Sequence, residues 1–231
     1  MNKILRTIIV WSVLGCMFAG MPTTAKAQKV VFPQQKQAGV ATLKCNAKNF
    51  TLANSLLQAS YSVVNGTLRF NGCKAMDLMP SADLFRIGLA DRTEFSSQDM
   101  KLASVTTENY AADPKAAKGS ERFRGKGVKA VFTRGDLRVE WRAVLRDGSH
   151  YLRTEMSISS GKDVRMDHIV PMIYAVDVRK AKSAPRVVGN TRGAALLSSK
   201  LFAGLETPMG VNTNNLDSDD IANINSRDMV K

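Results

Sequence analysis

"VKAVFTRGDLRVEWRAVLRDGSHYLRTEMSIS", residues 128–159, alternates apolar and polar residues almost without interruption. Leu137, Val139, Trp141 and Ala143 fall on one side at period two, and Arg138, Glu140 and Arg142 on the other. That period belongs to a strand buried on one face. Two turn signals cut the stretch: Arg134-Gly135-Asp136, and Arg146 to His150 with Asp147-Gly148 at its centre. After the second, Leu152, Thr154, Met156 and Ile158 share one face, and Tyr151, Arg153 and Glu155 the other. Three strands joined by tight turns are therefore expected here, with one face dry and one charged.

The same pattern recurs outward. "YSVVNGTLRF", residues 61–70, places Asn65-Gly66 between two alternating flanks. Both central positions of a type I′ turn need positive φ, which Asn and Gly tolerate best. In "VRMDHIVPMIYAVDV", residues 164–178 by position, Val164, Met166, His168, Val170, Met172, Tyr174 and Val176 share a face. Pro171 has no N–H to give to a ladder, so it marks an edge or a bulge. Helical signals are weak: "PSADLFRIGLADRTEF", residues 80–95, could hold one turn. Residues 111–127 read as a polar, basic connection. Many short strands with turns between them predict an all-β chain folded as an antiparallel β-sandwich.

The N-terminus reads as an export signal. Lys3 and Arg6 form a basic start, an apolar run follows, and Ala25 and Ala27 offer the small-x-small pattern of a cleavage site. Cleavage between Ala27 and Gln28 is expected. The apolar run is shorter than the ~20 residues of a spanning helix, so no integral membrane segment is expected after cleavage. "VLGC", ending at Cys16, supports an alternative in which the chain is a lipoprotein anchored at that cysteine. The expected organisation is a signal peptide over residues 1–27, a sandwich domain over 28–210 and a polar, poorly ordered tail over 211–231. Losing Lys3, Arg6 and Lys26 takes the net charge from +13 to +10. The cations are spread along the chain and no nucleic-acid-binding signature accompanies them, so no nucleic-acid partner is expected.

Chemistry-bearing residues are few. His150 lies beside a turn, and His168 shares a face with Met166 and Val170, the setting of a satisfied core histidine. No GxSxG nucleophile motif occurs, and no metal-ligand or cofactor spacing is present. Glu140 and Glu155 each have arginines two residues away on the same face, which reads as cross-strand charge ladders. Beyond the signal, Cys45 and Cys73 form an even pair in an exported chain, and a disulfide between them is expected. Trp141 takes a core position by its pattern, which leaves Tyr151 and Arg153, beside the turn on the polar face, as carbohydrate-binding candidates.

Three stretches carry a family resemblance. They are "TLANSLLQASYSVVNGTLRFNGCKAMDL" (51–78), "EWRAVLRDGSHYLRTEMSISSGKDVRMDHIVPM" (140–172) and "LFAGLETPMG" (201–210). In this order they resemble the galactose-mutarotase-like N-terminal β-supersandwich of bacterial glycoside hydrolases, including α-galactosidase-like enzymes and relatives labelled enterotoxin. The resemblance implies a supersandwich that is incomplete at its C-terminus and a carbohydrate partner. It also implies a non-catalytic role, because in such enzymes a following (β/α)₈ barrel carries the catalytic carboxylates. Glu206 joins the carbohydrate-binding candidates by its position in the third stretch. Missing strands would leave open sheet edges and invite self-association. Two alternatives stand beside this reading. One is an aldose epimerase drawing on His150, His168 and Glu206; the other is a free-standing carbohydrate-binding module.

Overall fold

A computed structural model describes residues 36–76, 78–177, 185–189, 191, 193–198, 200–206, 210–215 and 221–228, the last two segments as backbone. Cys16, Ala27 and Gln28, on which the export reading rests, lie outside the described residues. Within them the chain is all-β, and no closed barrel forms.

The first strands follow from their turns. β1 (Thr42–Asn46), β2 (Asn49–Ala53), β3 (Gln58–Val64) and β4 (Thr67–Cys73) run as an antiparallel meander. Between β3 and β4, Asn65 and Gly66 both take positive φ, 51° and 75°, the backbone that a two-residue type I′ turn requires. β5 (Leu78–Met79), β6 (Arg86–Leu89) and β7 (Glu94–Ser96) extend the same large sheet. The helical turn allowed for residues 80–95 does not form. Its residues build β6 and β7 instead, and a single 3₁₀ turn, Ser97–Asp99, follows them. Ser96 caps that turn through Gln98 N, while Asp99 accepts from the Ser96 backbone N–H at 2.8 Å.

The opposing sheet is the one legible in residues 128–159. β8 (Lys101–Tyr110), β9 (Gly125–Arg134), β10 (Leu137–Arg146) and β11 (Arg153–Ser160) stand in the order β11-β10-β9-β8, all antiparallel. Its inner face carries Val128, Ala130, Phe132, Val139, Trp141, Ala143 and Leu145, all buried. They belong to one core with Phe50, Leu52, Tyr61, Leu68, Phe70 and Ile87 of the large sheet. Edge-on aromatic contacts tie the two layers, Tyr61 to Trp141 at 5.4 Å and Phe85 to Phe132 at 5.3 Å between ring centroids. This is the expected antiparallel sandwich.

Pro171 breaks the alternating stretch 164–178 where predicted. β12 (Met166–Val170) and β13 (Ile173–Asp177) are separate strands of the large sheet, with Pro171 and Met172 between them. β14 (Arg186–Val188), β15 (Ala195–Leu197) and β16 (Phe202–Ala203) form a small third sheet whose Leu196, Leu201 and Ala203 join the core. Within the tail expected over 211–231, the described residues form two strands. β17 (Gly210–Asn215) pairs with β18 (Ile221–Asp228), and β18 stands between β13 and β12. Backbone pairing in a ladder does not require apolar side chains.

The expected disulfide is also corrected: Cys45 is an exposed thiol and Cys73 a buried one, both free. Cys45 pairs with Phe50, Phe50 with Tyr61 and Tyr61 with Phe70, so Cys45 and β4 are three strand steps apart. At about 4.8 Å per step that spacing alone is roughly 14 Å. A disulfide needs Cα atoms within about 7 Å.

Candidate functional site

The turn after β10 places the first candidate residues. Gly148 takes a φ of 73°, and its N–H donates to Gly39 O at 2.8 Å. Asp147 Oδ1 accepts from Ala41 N at 2.8 Å, and Ser149 O accepts from Asn54 Nδ2 at 2.8 Å. The turn is thus pinned to the N-terminal segment from two directions. Ser149 Oγ then accepts from Tyr151 N at 3.2 Å and donates to Tyr151 O at 2.8 Å, fixing the backbone of Tyr151. The Tyr151 ring is 47% exposed.

From there β11 runs as the edge of its sheet. Its period of two sends Arg153 and Glu155 to the charged face, while Leu152, Met156 and Ile158 pack on the core. Beyond this edge lies a cleft of about 860 Å³, lined by both faces of β11, the 118–121 turn, the small third sheet and parts of β4, β5 and β13. Tyr151, Arg153 and Glu206, the three carbohydrate-binding candidates, all line it.

Arg153 organises the mouth. Its Nη2 donates to Glu206 Oε2 at 2.7 Å; its Nε stands 3.4 Å from Glu155 Oε1 and its Nη1 3.7 Å from Glu121 Oε1. All three nitrogens of the guanidinium therefore face carboxylates. Lys118 Nζ lies 3.9 Å from Glu121. The Arg153 side chain is only 14% exposed and Glu206 is 59% exposed, so the carboxylate reaches water while the guanidinium is held. A second exposed ring, Phe202, also lines the cleft. Leu201 and Ala203 are buried, and the alternation of β16 turns Phe202 outward to 71% exposure.

The floor has a different chemistry. Phe70, Met76, Leu78, Met156, Met172 and Tyr174 line it, with Cys73. Burial pushes the pKa of the Tyr174 hydroxyl and of the Cys73 thiol up, so both stay neutral at ordinary pH. The Tyr174 hydroxyl lies 3.4 Å from Thr154 Oγ1. Among the described residues the floor carries no charged side chain, and the charged lining residues are Lys118, Glu121, Arg153, Glu155 and Glu206.

Neither histidine lines the cleft. His150 is exposed, with Nε2 3.2 Å from Lys36 O. His168 is not the core histidine its pattern suggested. Its Nδ1 faces Asp167 Oδ2 at 2.9 Å and its Nε2 faces Glu94 Oε2 at 3.1 Å. The ring lies against Gly88, where a Cβ would collide with it. Its polar neighbours come from strand pairing that a face pattern cannot show. The trio named for epimerase chemistry, His150, His168 and Glu206, is thus not gathered in the cleft.

The charge ladder around Glu140 is as expected. Glu140 pairs with Arg138 at 2.8 Å, and with Arg142 and Lys129 at 3.1 Å each. Hydrogen bonds from Arg138 and Lys129 hold its carboxyl below the usual range. Glu121, Lys118 and Phe202 were missed as site residues. The first two sit in a stretch that reads as a solvated connection, and an isolated phenylalanine in an apolar run reads as core.

Among the described residues no group of three His, Cys, Asp or Glu side chains could hold a metal ion, and no helix is long and apolar enough to cross a membrane. No protein family, curated relative or solved structure matches the chain.

Proposed function

We propose that this chain is an exported, carbohydrate-associated β-sandwich domain, of the galactose-mutarotase-like kind found at the N-terminus of glycoside hydrolases. In this reading it binds a sugar at the cleft mouth and does not cleave it by itself. One observation supports this above the rest. Tyr151, Arg153 and Glu206, drawn from segments more than fifty residues apart, converge at one cleft beside a second exposed ring, Phe202. Sugars present C–H faces that pack on aromatic rings and hydroxyls that donate to carboxylates. A rigid site with a few fixed polar groups is what orients such a ligand. The three rim carboxylates act as counter-ions of one guanidinium, which suits hydroxyl binding better than an acid–nucleophile pair facing each other across a glycosidic bond.

The test is calorimetric titration of the purified chain with methyl galactosides and glucosides, alongside a glycan array. Binding that is weakened at least tenfold by Glu206→Gln or Arg153→Met is expected, with no product released from aryl α-galactosides. Turnover above buffer that Glu206→Gln abolishes would make the chain an enzyme and overturn the non-catalytic reading. Accelerated mutarotation of fresh α-galactose, followed by polarimetry, would favour the epimerase. Export is tested by mass spectrometry of the mature protein. An N-terminus at Gln28 supports cleavage after Ala27, and a lipid on Cys16 supports the lipoprotein.

A further inference from the structure

We infer that the cleft takes a neutral glycoside with an apolar aglycone, an alkyl or aryl group that lies on the floor while the sugar sits at the mouth. This rests on the sugar reading above and adds to it the second half of the ligand. The cleft of about 860 Å³ is at the large end for small-molecule sites, and a single hexose at the mouth leaves the floor uncovered. That floor is apolar and rich in flexible thioethers, from Met76, Met156 and Met172, side chains that adapt to chains of varied shape. Among the described residues its titratable groups are Tyr174 and Cys73, and burial keeps both neutral. A ligand polar throughout would strand hydroxyls there without partners.

The rim decides the head group. Free cationic nitrogen is what a phosphate, sulfate or carboxylate head would need. The charge of Arg153 is already matched, because Nε, Nη1 and Nη2 each face a carboxylate, and Lys118 lies 3.9 Å from Glu121. Among the described residues the rim sets three carboxylates against two cations, a balance that repels an anionic amphiphile. The carboxylates can accept hydrogen bonds from hydroxyls, and Glu206 is exposed enough to do so. A neutral polyhydroxyl head on an apolar tail matches both ends of the cleft.

The experiment uses the full chain, two chain-length series of glycosides and two further octyl probes, all below their micelle concentrations and read by calorimetry. Methyl, hexyl and octyl galactosides and glucosides should bind with affinity rising about threefold to fourfold per methylene until the floor is filled, the factor that ~0.8 kcal/mol per buried CH₂ converts to. Octyl sulfate should bind at least tenfold more weakly than octyl glycoside. Met156→Gln and Met172→Gln, changes of little volume, should each flatten the chain-length series. If either variant does not fold, the series on the unaltered chain still decides. Methyl glycoside binding with no gain from a longer chain would overturn this inference and leave the sugar reading standing. A zwitterionic octyl amine oxide or octyl sulfate that binds as tightly as octyl glycoside would overturn it in favour of a general lipid cleft. No binding by any glycoside would overturn both.

Discussion

Two charge clusters on the four-stranded sheet are mirror images in sign and differ in origin. At Glu140 one carboxylate is ringed by three cations, Arg138, Arg142 and Lys129. At Arg153 one guanidinium is ringed by three carboxylates, Glu121, Glu155 and Glu206. The first is built from neighbours two residues along β10 and from Lys129, the β9 residue opposite Arg142, so it follows from strand period and register. The second draws on the 118–121 turn, on β11 and on the chain after β16. Only the tertiary fold brings those together, at a sheet edge beside an apolar cleft. A cluster within a sheet needs no more than the sheet. A cluster assembled from distant segments at a cleft is where a ligand reading gains weight.

Removing the central ion of each cluster is the sharpest way to break that comparison, and the larger effect is expected at Arg153. Its side chain is mostly buried, so Arg153→Met leaves three carboxylates facing one another without their counter-ion. Truncating one partner of a desolvated pair leaves the others uncompensated, and a loss of about 2 kcal/mol is expected here, given partial exposure of the carboxylates. Denaturant unfolding should register it, and calorimetry should show sugar binding lost at the same time. A variant as stable as the parent would mean that the cluster is solvated and does not shape the cleft.

Glu140→Gln should cost less, about 1 kcal/mol, because its partners lie along the outer face, where ion pairs are screened. Moderate salt should shrink the difference, and sugar binding should be unaffected, since Glu140 does not line the cleft. Loss of binding in this variant would erase the distinction between the two clusters.

The contrast also bears on what the sequence can show. The hairpins around Asn65-Gly66 and Gly135-Asp136, the break at Pro171 and the Glu140 ladder are local events, set by period and by turn chemistry within a dozen residues. They are legible because each residue's partner lies two positions away or directly across a tight turn. Tyr151 and Arg153 were legible as polar-face residues beside a turn, and Glu206 through a family resemblance. That the three meet was not legible, nor were Glu121, Lys118 and Phe202, because loop closure between distant segments leaves no periodic trace. The misreadings share this cause. Cys45 and Cys73 were paired by count and compartment, yet strand order sets them apart. His168 was placed by its face, yet its partners arrive from β7 and from the residue beside it.

Acid should separate the clusters further. Glu140 has its carboxyl held below the ordinary range by Arg138 and Lys129, and Asp99 by the Ser96 backbone and hydroxyl. A folded-state value below the unfolded one means that the unfolded chain binds protons first as pH falls. The stabilisation is therefore complete above the unfolded value and is lost as pH drops through the folded one. Thermal melts should fall in the window below about pH 4.5, near the ordinary carboxyl values. Glu140→Gln should flatten part of that acid limb, while leaving the contribution of Asp99. An acid limb identical in Glu140→Gln and the parent would show that the ladder carries no linkage.

The smallest stability effect is expected at Glu206, and it is also the most discriminating. Its side chain is 59% exposed and touches the fold through one hydrogen bond from Arg153. Exposed substitutions away from caps and cores change stability by no more than about 0.5 kcal/mol. Glu206→Gln keeps the size and an acceptor oxygen and removes only the charge, so the melting temperature should move little. Affinity for methyl glycosides should nonetheless fall about tenfold or more, because a charged acceptor of sugar hydroxyls becomes a neutral one. Stability and binding would then part company at Glu206, as they should at a residue placed for a ligand. If instead Glu206→Gln destabilises the chain as much as Glu140→Gln and leaves binding intact, the two clusters are alike. Glu206 would then be a strap across the edge of β11, and the cleft would have to be read without it.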